Sequence, residues 1–66
     1  MKNNLRVERA IKNITQEELS RFIGVSRQAI NSIEAGKYVP STLLALKLSS
    51  YFAKPVNDIF ALEEGD

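Results

Sequence analysis

Sixty-six residues suffice for one domain and too few for two, and a core of that size yields only about 3 to 5 kcal/mol of net stability without a supplement. With no cysteine and no histidine, disulfides and the usual nitrogen and sulfur ligands of zinc are excluded, which leaves self-association as the available supplement. The formal net charge of +1 conceals a split: residues 1–54 hold all nine Lys and Arg against four acids, a balance of +5, while residues 55–66 hold the other four acids and no cation.

A basic body favours a polyanionic partner through counterion release, although +5 also suits an ordinary soluble surface. Met1 is followed by polar and charged residues, and no apolar run approaches the roughly 20 residues of a membrane span. The expected location is the cytoplasm. No cofactor is expected, and no effector pocket is legible.

In chain order, the punctuation predicts an all-α unit of four main helices and a short fifth, with residues 1–66 as a single domain. Thr15, Ser26 and Ser41 each precede a helix-compatible segment, and Gly24, Gly36 and Pro55 stand where segments stop. The first helix is expected over Leu5 to Lys12, with Val7, Ala10, Ile11 and Ile14 as an apolar stripe. The second is expected over Gln16 to Ile23, opened by a capping box between Thr15 and Glu18 and burying Leu19, Phe22 and Ile23. Glu17 and Glu18 suit its first turn. The third is expected over Arg27 to Ala35, burying Ala29, Ile30 and Ile33. The fourth, Thr42 to Ala53, is apolar around most of its circumference and is expected at the centre of the core. A last turn or two covers Val56 to Ala61, and the strand-like Phe60-Ala61-Leu62 is expected to pair with residues near Met1 to Asn3.

Function concentrates in residues 16–35. Two eight- or nine-residue helices joined by Gly24-Val25-Ser26 must cross steeply, as in a helix-turn-helix whose second helix enters a major groove. With Ala29, Ile30 and Ile33 inward, Arg27, Gln28, Asn31 and Ser32 are left outward. Arginine can grip guanine O6 and N7, glutamine and asparagine can do the same to adenine N6 and N7, and serine serves either. Polar outer faces are also ordinary in helical hairpins, so periodicity alone leaves a solvated face and a DNA-reading face both open.

Thr15-Gln16-x-Glu18-Leu19, Gly24-Val25-Ser26, Ile30-x-x-Ile33-Glu34-x-Gly36 and Pro40-Ser41 decide between them, because over residues 5–60 the chain resembles the lambda-repressor and Cro family of Xre-type helix-turn-helix regulators. It is most similar to the stand-alone members, which lack a ligand-sensing domain and act as dimers. The resemblance implies that Gln16 touches a phosphate at the positive end of helix 2. It implies that Arg27 and Gln28 are the main base readers, with Asn31 and Ser32 behind them or as bystanders, and with Ser26 near the backbone. Lys37 and Tyr38 match the family's phosphate-contacting loop, where simple solvation of Lys37 is the alternative. The family also pairs the positions of Arg9 and Glu34 as a buried, structural salt bridge. Glu8 departs from the pattern, standing where the family has an apolar residue. Either helix 1 is rotated or it exposes apolar surface.

A monomer of this size covers few base pairs, so the resemblance implies a homodimer reading a pseudo-palindromic operator in double-stranded DNA. Val56, Ile59, Phe60 and Leu62 are the candidate dimer contacts, with sealing of the monomer core as their alternative. The competing function is a small protein-interaction module, antitoxin-like or an assembly partner, built on the same fold. The carboxylates fall at helix starts, in one ion pair and in the tail, so no acid-base constellation points to an enzyme.

Overall fold

In the computed structural model, which describes residues 1–66, the chain runs β1 (Lys2–Asn3), α1 (Leu5–Lys12), α2 (Gln16–Ile23), α3 (Arg27–Glu34), α4 (Thr42–Phe52), α5 (Val56–Ile59) and β2 (Phe60–Ala61). The fold is all-α, with one small antiparallel pairing in which Lys2 lies opposite Ala61 and Asn3 opposite Phe60. Hydroxyl caps set three of the helix starts. Thr15 Oγ1 accepts from the Glu18 amide at 3.0 Å while the Glu18 carboxylate accepts from the Thr15 amide at 3.0 Å, a complete capping box. Ser26 and Ser41 cap α3 and α4 by accepting from the amides of Ala29 and Leu44.

The stops come slightly earlier than the sequence suggests. α4 ends at Phe52 because Ala53 turns left-handed, at φ 54°, and its reversal lets the Lys54 amide donate back to the Ser49 carbonyl. Glycine is the residue that adopts this conformation without a Cβ penalty of about 1 to 2 kcal/mol. Ala53→Gly is therefore expected to stabilise the fold by about 1 kcal/mol, read as a raised midpoint in urea denaturation.

Leu5, Leu19, Ile23, Ile30, Ile33, Leu44, Leu48, Phe52, Ile59 and Phe60 form one buried core. Two expectations about facing, those for Phe22 and α4, are corrected, and of the two alternatives for helix 1 the exposure of apolar surface is the one observed. α1 buries Leu5 and Glu8 and turns Val7, Ala10 and Ile11 to solvent, since Glu8 reaches Lys54 at 2.8 Å and this ion pair holds it inward. Phe22 is 64% exposed, lying over the side of α4 where its ring stacks on Tyr51 at 5.3 Å, with the Lys12 ammonium 5.1 Å from the Tyr51 ring on α1's side. α4 is not buried all round. Leu44, Leu48 and Phe52 point inward, whereas Leu43 and Leu46 are exposed, because its neighbours, chiefly α2 and α5, leave that side of it uncovered.

No helix is long and apolar enough to cross a membrane.

Candidate nucleic-acid interface

Gly24, at φ 84°, and the doubled acceptance of the Gly24 and Val25 amides by the Ser20 carbonyl make the tight turn between α2 and α3. Ile30 and Ile33 then pin α3 to the core, and its other side faces out. Arg27, Gln28 and Asn31 are exposed and Ser32 is half-buried. Arg27, Gln28 and Asn31 line a concavity of about 360 Å³ that no hydrophobic residue borders. On its other flank Gln28 borders a second cleft of about 290 Å³, shared with Ser26, Ser32 and Tyr38. Gly36, at φ 75°, and a bond from the Lys37 amide to the Ser32 carbonyl fold the next loop against the end of α3, leaving Lys37 and Tyr38 exposed. Six of the eight residues singled out as DNA contacts thus line two adjoining clefts, and Lys37 stands beside them.

Glu17 also lines the first concavity, a placement the sequence reading missed. A first-turn acid explains itself within its own helix, so nothing in periodicity flags it. Its position next to Gln16, a residue expected among the DNA contacts, was the available signal. Glu17 lies 3.7 Å from Arg21 one turn on, an exposed pair of small energetic weight.

Gln16 is placed differently from a free phosphate contact. Its side-chain amide donates to Glu34 Oε1 at 3.1 Å and faces Asn31 Oδ1 at 3.4 Å, cross-linking α2 to α3. The Glu34 side chain has 0% exposure and takes a forked pair of bonds from Arg9, Nε to Oε2 at 2.6 Å and Nη2 to Oε1 at 3.0 Å. Arg9 Nη1 also donates to the Ile14 carbonyl at 3.0 Å. α3 is thereby fastened to both preceding helices through one carboxylate.

Burial pushes the Glu34 carboxyl up, but bonds from Arg9 and Gln16, with the charges of Arg9 and Arg6, outweigh it and hold it below the ordinary glutamate range. A carboxyl lowered in the fold gives stability that is fully present above its unfolded value of about 4.3 and is lost as pH falls through its folded value. The urea midpoint is expected to hold from pH 7 to 5 and to fall below about pH 4. In Glu34→Gln the decline across that window should be shallower; an unchanged slope would assign it to other carboxylates such as Asp66, which is also lowered.

Of the four candidate dimer residues, Ile59 and Phe60 are in the core at 1% and 6% exposure, since α5 and β2 need them to close over α4 and β1. Leu62 is 81% exposed, and Val56 is half-buried. Both border clefts that also include Met1.

Comparison with known proteins places these features in context. A family model described as helix-turn-helix matches residues 5–59. An uncharacterised helix-turn-helix-type transcriptional regulator of Methanocaldococcus jannaschii is 48% identical over 66 residues, covering 100% of both chains. One from Bacillus subtilis is 47% identical over 64 residues, or 97% of each chain. Another, from Archaeoglobus fulgidus, is 42% identical over 64 residues, 97% of this chain and 90% of that protein.

Proposed function

The chain belongs to the helix-turn-helix family of DNA-binding transcriptional regulators, of the Xre or lambda-repressor type, and on that premise we propose that it is a homodimeric repressor which lays α3 in the major groove of a pseudo-palindromic operator. The observation that carries this reading is the outward side of α3, where Arg27, Gln28 and Asn31 line one polar concavity while Ile30 and Ile33 hold the helix in place. Arg27 and Gln28 read bases, Ser32 and Asn31 stand behind them, and Ser26, Lys37 and Tyr38 meet the backbone. Gln16 adds its end of α2 to the phosphate contacts while bracing α3. A second copy joins at the α4 to β2 end, through Val56 and Leu62 with the exposed Val39 and Leu46 nearby. Repression follows from occupancy, since a bound dimer excludes other proteins from the same DNA.

Selection from random duplex DNA by the purified protein tests this reading. An enriched inverted repeat with half-site centres about 34 Å apart supports a dimeric reader. Absence of any enriched sequence, with weak binding at two salt concentrations, removes it. The second reading, a protein-interaction module, then takes its place, favoured by the exposed Phe22, Leu43 and Leu46.

Lys37 offers a separate check. Lys37→Ala should weaken enriched and scrambled duplexes alike and lower the slope of log affinity against log salt by about 2 for a dimer, one per protomer. A change confined to the enriched sequence would instead make Lys37 a base contact.

A further inference from the structure

The Glu34 carboxylate can only accept hydrogen bonds, and that restriction propagates to the surface of α3. Its side chain has 0% exposure and Gln16 Nε2 donates to it at 3.1 Å. Turning the Gln16 amide over would set a carbonyl oxygen against a buried anion, so the NH2 end is held there. The same NH2 faces Asn31 Oδ1 at 3.4 Å. Turning Asn31 over would oppose two donor groups. One buried charge therefore orders two amides in series and leaves Asn31 Nδ2 as the end turned away from Gln16, on an exposed residue that shares its concavity with Arg27 and Gln28.

Resting on the reading of α3 as the base-contacting helix, we infer that Gln16 is a positioning residue that makes Asn31 a donor-only reader, selecting guanine over adenine. Guanine offers two adjacent major-groove acceptors, O6 and N7, to the two Nδ2 protons. Adenine sets its own amino group beside N7, and gripping it bidentately needs the asparagine oxygen that Gln16 holds. The expectation from side-chain chemistry alone, asparagine to adenine, is thus reversed by a contact between helices.

Two measurements test this. In the free protein, hydrogen exchange of side-chain amides by nitrogen-edited NMR should be slower at Gln16 Nε2 than at Asn31 Nδ2; equal rates overturn the ordered pair whatever the DNA result. On duplexes carrying guanine or adenine at the position that responds to Asn31→Asp, the wild type should prefer guanine by about tenfold. Gln16→Ala, with its fold checked by circular dichroism, should bring that ratio close to one while preferences that respond to Arg27→Ala and Gln28→Ala persist. Should Gln16→Ala weaken all sequences equally and leave the ratio intact, or should the wild type prefer adenine, the positioning role is wrong although base reading stands. If no position responds to Arg27, Gln28 or Asn31, base reading by α3 falls and this assignment falls with it.

Discussion

Arg27→Ala combined with Gln28→Ala is expected to erase sequence preference while leaving the fold intact. Each good bidentate contact to a base contributes about 1 to 3 kcal/mol of discrimination. Two residues in each of two protomers make four contacts, so even at the low end the enriched operator should lose about 4 kcal/mol relative to a scrambled duplex, or about 1,000-fold. Both side chains are exposed and outside the core, so the unfolding free energy read from urea denaturation should change by no more than about 0.5 kcal/mol. Titrating enriched and scrambled duplexes at one salt concentration gives the ratio directly. A ratio that survives would mean that α3 does not read bases, and a collapse of the fold would mean that its outer side is structural.

Arg9→Ala should have the largest effect on stability. The Glu34 carboxylate has 0% exposure and its forked partner is Arg9 at 2.6 and 3.0 Å. Removing one member of a buried pair strands the other, at a cost of about 3 to 5 kcal/mol. That approaches the whole net stability of a domain this small, so the variant should be largely unfolded at 25 °C in the absence of DNA. Arg9→Met with Glu34→Leu should recover much of the loss, because two apolar groups leave no buried charge to satisfy. Urea denaturation of the three proteins checks this; a loss within error for Arg9→Ala would mean that Gln16 and Arg6 suffice for Glu34.

What the sequence made legible was local. The Thr15 to Glu18 capping box, the Ser26 and Ser41 caps and the Gly24 turn each depend on residues three or four apart, so helix starts are readable to the residue. The pairing of Phe60 and Ala61 with Lys2 and Asn3 was also foreseeable from strand-like composition. Arg9 with Glu34 came from family resemblance, not from spacing. What stayed hidden was long-range. Glu8 is buried by Lys54, 46 positions away, and periodicity on α1 points to the opposite side. Exposure of Phe22, Leu43 and Leu46 depends on which sides of α2 and α4 receive neighbours, and an apolar circumference does not say. Ile59 and Phe60 showed surplus apolar surface for a short element, but whether that surface meets the core or a second copy is decided by how α5 docks. Gln16 was readable as a helix-start residue, and its phosphate contact was an expectation from resemblance alone, yet its bond to Glu34 depends on two helices meeting.

The division of α3 into an anchored side and an outer side has an evolutionary consequence. Arg27 and Gln28 contribute nothing to the core, so their substitution should carry almost no penalty in folding, and on the proposed reading of α3 drift there is expected to move the protein to a new operator in single steps. A library randomised at these two positions should therefore return many folded proteins and, on that same reading, proteins of altered specificity. Asn31 is the exception, since its amide is tied through Gln16 to the buried anion: a change there is conditional on what stands at position 16, and the two positions are expected to evolve as a pair.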